Sequence, residues 1–211
     1  MTLNRAAGEV FVLKVWFHPE SPYARRILCF LDWNKIEAER IPVSLEQREH
    51  REAEYLKVNP WGRVPAILDG DFALSESLAI LRYLVESRKL HQWYPQGLRE
   101  RAVADQWLEY VSQHPCRPFL DLAWERSMAT RFGGRTNPGA VDMALKRLKR
   151  ELPFLDARLA ASPFLAGSTP TLADVALYPF VTLSSEAGVD LKALAPNLLA
   201  WSDRVAGCGQ A

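Results

Sequence analysis

Cysteine is scarce in this chain: there are three, Cys29, Cys116 and Cys208, and no two of them stand in a Cys-x-x-Cys pair. That scatter excludes a legible disulfide framework and a cysteine zinc site, and it fits a reducing compartment. The four histidines, His18, His50, His91 and His114, show no His-x-x-x-His spacing, so no metal is expected. Charge of one sign is also missing as a block. Twenty-six basic and 25 acidic residues leave a formal charge of +1 with no long single-sign run. Neither nucleic acid nor an anionic membrane is an expected partner. No stretch approaches the roughly 20 apolar residues of a membrane span, and the N-terminus lacks an apolar leader core with a small-residue cleavage site. The expected location is therefore cytoplasmic. Internal repeats and low-complexity tracts are absent.

What is present is ample apolar material, 48% of 211 residues, arranged in two halves with different grammar. The first half alternates strand and helix signals. Strands are expected over 10–17, 39–43, 66–69 and 72–74, and helices over 22–34, over 51–57 and from Ser75-Glu76-Ser77 onward, giving the order βαβαββα. Asp69-Gly70-Asp71 is the hairpin signal between the last two strands. The second half reads as helix after helix: 99–113, 118–131, 140–161, one opening at Thr171, and one from about Pro196 to Gly207. Thr171 and Asp174 have capping-box spacing, and Pro179 should kink or shorten the helix they open. These patterns divide the chain into domains at 1–87 and 99–211 with a linker at 88–98. The linker's Trp93 and Tyr94 are aromatic anchors available to either half. Cys29 lies in an apolar stripe and reads as a small core residue, whereas Cys208, between two glycines, reads as exposed.

The strongest chemical signal is Ser21-Pro22-Tyr23-Ala24-Arg25-Arg26, set where the first strand hands over to a helix. Pro22 suits the first helical position and Ser21 the N-cap before it. An anionic sulfur brought there would meet a hydroxyl donor and the positive end of the helix, both favouring thiolate over thiol. Ser-Pro is equally an ordinary helix start. Three further signals follow in order: Asn59-Pro60 through Val64-Pro65, Ser75-Glu76-Ser77, and the box from Thr171 to Asp174.

Taken together, these motifs resemble the cytosolic glutathione S-transferases across nearly the whole chain, in particular the serine-type, theta-like, bacterial-style members. The resemblance implies a thioredoxin-like N-terminal domain followed by an all-helical domain. It implies glutathione as co-substrate, a small hydrophobic electrophile as the second substrate, and a homodimer serving detoxification. Ser21 would then be the catalytic thiolate stabiliser, with Tyr23 a second hydroxyl nearby. Pro65 corresponds to the family's cis-proline, so that Val64 offers its backbone N–H and C=O to the cysteinyl unit like a short added strand; a trans proline starting a strand is the plain alternative. Glu76 and Ser77 would receive the glutamyl ammonium and carboxylate, with helix capping as the simpler reading of the serines. Arg63 and His50 fall where basic groups meet the glycyl carboxylate, and both also suit solvated surface. Trp107, Tyr110 and Trp124 would line the electrophile pocket, although helical aromatics are usually core. Asp105 matches an acidic position that reaches the partner subunit's glutathione.

Trp16 and Phe17 stand where tyrosine-type members carry their tyrosine, and Ser21 where omega-like members carry a cysteine. Neither of those chemistries is expected, since serine cannot form a mixed disulfide. Conjugation or dehalogenation leads. A glutathione-dependent isomerase and a non-catalytic glutathione-binding or regulatory protein on the same scaffold remain the alternatives. The segment from Gly207 to Ala211 is poor in helix formers, which leaves the mouth of the site open.

Overall fold

The computed structural model describes residues 12–209. Val10 and Phe11 of the expected first strand, and Gln210 and Ala211, lie outside the described residues. Strand β1 (Leu13–Phe17) alternates its side chains, with Leu13 and Val15 buried on one face. It pairs in parallel with β2 (Ala38–Pro42), Phe17 standing opposite Pro42. On its other edge it pairs antiparallel with β3 (Ala66–Asp69), Trp16 opposite Ala66. The hairpin to β4 (Phe72–Ser75) completes the order β2-β1-β3-β4, with Ala66 opposite Ser75.

Helix α1 (Pro22–Trp33) buries Ala24, Ile27, Phe30 and Leu31, and α3 (Ser77–Ser87) buries Ile80, Leu81, Leu84 and Val85. The three- and four-residue spacings put each set on one stripe against the sheet. Short α2 (Ala53–Val58) covers the other face, where Tyr55 packs with Val43 and Ala66. The thioredoxin-like domain expected from the sequence is thus formed.

Every further element is helical: α4 (Leu98–Gln113), α5 (Cys116–Ala123), α6 (Pro138–Ala161), α7 (Leu172–Val181), α8 (Leu191–Leu194) and α9 (Pro196–Ala206). Helix α7 is apolar around nearly its whole circumference and sits in the centre, touching α1, α4, α5 and α9. One apolar core therefore runs from Leu13 in the sheet to Val205 in α9. The capping box forms at the start of α7, and two residues after Pro179 the helix gives way to a 3₁₀ turn, as its missing N–H dictates. The linker serves both halves. Trp93 stacks on Trp33 and donates to Asn34 Oδ1 at 2.7 Å, while the Tyr94 hydroxyl reaches Asp105 on α4.

The structure departs from the single helix expected over 118–131. The α-helical part ends at Ala123, and Trp124–Met128 form a π-helical turn closed by the Ala129 N–H on the Trp124 carbonyl at 2.7 Å. No Gly or Pro marks that change, so its cause is packing. Cys29 is only partly buried, and Cys208 is half-buried against the core instead of exposed. Among the described residues no helix is long and apolar enough to cross a membrane.

Candidate active site

The sheet register gathers the site. Ser21 follows β1, whose last residues face the start of β3, and Val64 lies just before that start. The end of β4 pairs with the same start, which brings Glu76 and Ser77 alongside. Parallel β2 ends beside Phe17, so the loop carrying His50 leaves from this end too. Four segments distant in sequence thus meet at one end of the sheet.

Ser21 caps α1 as expected: its extended backbone lets Oγ accept from the Ala24 N–H at 3.3 Å, and Pro22 fills the first helical position. The hydroxyl proton remains available to donate outward. Tyr23, one turn in, packs edge-on against Phe180 at 5.1 Å. Burial pushes its phenol up from the ordinary value, against the pull of Arg26, so it stays protonated, and no hydrogen bond engages it among the described residues.

The Val64–Pro65 peptide is cis. The Arg63 carbonyl before it is clamped by the Tyr55 hydroxyl at 2.5 Å and the Asn59 side-chain amide at 2.6 Å. Asn59 is 1% exposed, and its Oδ1 also accepts from the Trp61 N–H. Val64 itself, only partly buried, gives its N–H and C=O to no described residue. An open donor–acceptor pair on a fixed backbone is the geometry that accepts one added extended residue.

Glu76 occupies the N-cap of α3 with φ +69°, a left-handed conformation costly to any residue but glycine, and its carboxylate is exposed and unbonded among the described residues. Such a position at the mouth of a site points to a requirement other than folding. Ser77 beside it is buried, and its Oγ accepts from Arg26 Nη1 at 3.0 Å. The Arg63 guanidinium is exposed and unpaired among the described residues. His50 lies in a 3₁₀ turn packed on Gly62, whose φ of +57° and 2.7 Å clearance between an added Cβ and the His50 carbonyl admit glycine alone. Burial, aided by Arg51, pulls the His50 imidazole down, and its Nδ1 is buried without a partner.

The remaining residues are more dispersed. Trp124 is exposed at 40% and lines a cavity of ≈ 470 Å³ between α5 and α6, with Arg117, Leu120, Asp121 and Met143. The charges of Arg117 and Asp121 act on Tyr23, which ties that side of α5 to the Ser21 end. Trp107 and Tyr110 are engaged elsewhere. They pack edge to face at 5.5 Å, Arg158 lies over Trp107, and the Tyr110 hydroxyl donates to Glu151 of α6 at 2.8 Å. The helix face expected to meet the cleft thus turns toward α6. Asp105 accepts from Arg82 at 3.1 Å and from Tyr94 at 3.0 Å and keeps about a third of its side chain exposed. The Gly207–Gly209 turn packs on Trp33, at the opposite end of α1 from Ser21.

Several residues at the site escaped sequence reasoning. His18, 7% exposed, accepts from the Glu20 N–H and meets Glu46, joining two loops of the site. Glu20 bridges to Arg131 at 2.6 Å across the domain boundary, with its other oxygen buried and unpartnered. Arg26 is 1% exposed. Its spacing from Tyr23 and Phe30, three and four residues away on the packed stripe, was the signal that could have exposed it.

Comparison with known proteins agrees with this geometry. Residues 11–86 match the family described as glutathione S-transferase, N-terminal domain, and residues 119–204 match the corresponding C-terminal domain. Glutathione S-transferase 4 of Zea mays is 33% identical over 192 residues, spanning 90% of this chain and 85% of that one. Glutathione S-transferase theta-1 of Mus musculus is 33% identical over 197 residues, spanning 92% and 82%. The crystal structure of human glutathione transferase theta-2 in complex with glutathione superposes with a TM-score of 0.85 at 30% identity, covering 93% of this chain and 82% of that one. A thioredoxin-like sheet end with an open backbone pair, joined to an all-helical domain and matched along both halves, makes this chain a member of the cytosolic glutathione S-transferase family.

Proposed function

We propose that this transferase is of the serine-activated kind, with Ser21 stabilising the glutathione thiolate for attack on a small hydrophobic electrophile. The observation that carries the reading is the meeting of the Ser21 hydroxyl with the unbonded Val64 backbone pair at one end of the sheet. A ligand strand paired on Val64 through its cysteinyl residue brings its sulfur toward the N-terminus of α1. Glu76 and Ser77 receive the glutamyl end, and Arg63 and His50 the glycyl carboxylate. A free thiol titrates near 8.5, and lowering it by about 2 units takes about 2.7 kcal/mol of differential stabilisation. One hydroxyl donor and a helix N-terminus supply that order of energy together. Ser21 acts as a donor to sulfur and forms no covalent bond.

The electrophile, for conjugation or dehalogenation, lies on the α5 side, where Tyr23, Arg117, Asp121 and Trp124 cluster. Trp107 and Tyr110 take no part in this version of the pocket. The exposed edge of Asp105 is the surface through which a second subunit would be met in a cytoplasmic homodimer.

The test is the ultraviolet thiolate absorbance of glutathione bound to the protein across pH, with Ser21→Ala beside the parent. The expected result is a bound-thiol pKa well below that of free glutathione, lost on substitution. Retention of the low pKa in Ser21→Ala would move the donor role to Tyr23, whose phenol is protonated and unengaged. Binding without thiolate would leave a glutathione-binding protein with no activation.

A further inference from the structure

Arg26 is a cation in the interior with nothing anionic beside it. Its side chain is 1% exposed. Nε donates to the Ala176 carbonyl of α7 at 2.8 Å, Nη1 to Ser77 Oγ at 3.0 Å, and Nη2 to Cys116 Sγ at 3.4 Å. The guanidinium lies 4.7 Å from the Phe180 ring centre and 5.2 Å from that of Tyr23. No carboxylate pairs with it among the described residues. The two titratable neighbours are neutral at pH 7, because burial pushes Tyr23 up and Cys116 to about 11. Every polar contact of this buried charge is to a neutral group.

Such an arrangement is costly, since desolvation of the guanidinium is not offset by a counter-ion. What the charge does is visible at Ser77. A hydroxyl has one proton to give and lone pairs to receive. Arg26 takes the receiving side, so the Ser77 proton is directed away from the guanidinium. Ser77 is the first residue of α3, where unpaired N–H groups open at the same sheet end as Ser21 and Val64. The hydroxyl and the helix terminus are thus aimed together at one anion.

We propose that Arg26 is a positioning residue for the glutamyl α-carboxylate of glutathione, acting through Ser77 and supplying beneath it a buried charge whose anionic partner is the ligand. This inference rests on the glutathione reading of the site. Because the same side chain grips Ala176, it also ties the helical domain to the carboxylate end of the ligand. Simple interdomain packing is the competing account, and it predicts no link to Ser77 or to the glutamyl unit.

The experiment is calorimetric binding of glutathione and of cysteinylglycine, which lacks the glutamyl unit, to the parent, Arg26→Gln, Ser77→Ala and the double variant. Arg26→Gln is expected to weaken glutathione about 10- to 30-fold. Cysteinylglycine should change less than about twofold, and the two substitutions should fall well short of multiplying in the double variant. In turnover the loss should appear in KM for glutathione, with kcat at saturation kept within about twofold. Arg26→Lys, which keeps the charge without the fork, should recover part of the affinity. It gives the same ligand ratio if Arg26→Gln does not fold. Equal weakening of both ligands, or full multiplication with Ser77→Ala, would overturn the proposal. A parent protein that binds neither ligand would instead overturn the glutathione reading beneath it.

Discussion

Helices α7 and α3 both begin beside an acidic residue and treat it in opposite ways. Asp174, fully buried in the first turn of α7, accepts from the Leu165 and Thr171 N–H groups, the Thr171 hydroxyl and the Trp201 indole, all within 3.2 Å. Glu76, at the N-cap of α3, is exposed, sits at φ +69° and bonds to nothing described. Helix α9 follows the first pattern, its opening N–H groups at Asn197 and Leu198 being met by Asp156 of α6. In the helical domain, helix starts are consumed in holding the fold. At the sheet end of the first domain they are kept open. A buried acceptor with its donors satisfied adds stability, whereas an open one costs stability until a ligand arrives.

That contrast is most severely tested at Asp174. Asp174→Ala strands the indole and two backbone donors in the core and should lower the unfolding free energy by about 3–5 kcal/mol in urea titration. Glutathione affinity of the remaining folded protein should not change. At Ser21 the effect should fall on chemistry. Ser21→Ala should reduce kcat/KM at neutral pH about 100-fold, as loss of one donor to a developing anion does. Stability should fall by no more than about 1 kcal/mol, the worth of an N-cap.

Glu76→Gly should separate the two quantities in sign. Relief of the left-handed backbone should raise stability by up to about 1 kcal/mol, while glutathione dissociation constants rise about tenfold. A rise in stability with unchanged affinity would mean that the strain serves something other than the ligand. The smallest effect is expected at His50. Its folded imidazole is held below the ordinary value, so the folded state takes up this proton less readily than the unfolded chain. His50 therefore withdraws stability as pH falls below about 6.5, toward its depressed folded value. His50→Gln should flatten that limb of the stability curve and leave the neutral region unaltered.

Much of the site was legible because its residues carry local chemistry. Ser21 before Pro22, the breakers around Val64-Pro65 and the Thr171–Asp174 pair each act within one turn of their own backbone, and the structure places each as a cap or a turn. The helix register of aromatic side chains was not legible in the same way. Trp107 and Tyr110 turn toward Glu151 and Arg158, partners about 40 to 50 residues away in sequence. The π-helical turn at Trp124 was likewise invisible, since no residue type signals it and packing alone selects it. Arginine at position 26 looks like surface until its neighbours are known.

The sequence by itself determined the order of strands and helices, the helix starts at Ser21 and Thr171, and the family to which the chain belongs. These follow from short-range periodicity and capping, which depend on a few adjacent residues. Only the tertiary structure decided that Ser21, Val64 and Ser77 share one end of the sheet, that Val64 stays unbonded, and that Arg26 is buried without a counter-ion. Those properties depend on strand register and on which groups find partners across the fold, and both are settled by contacts between segments far apart in the chain.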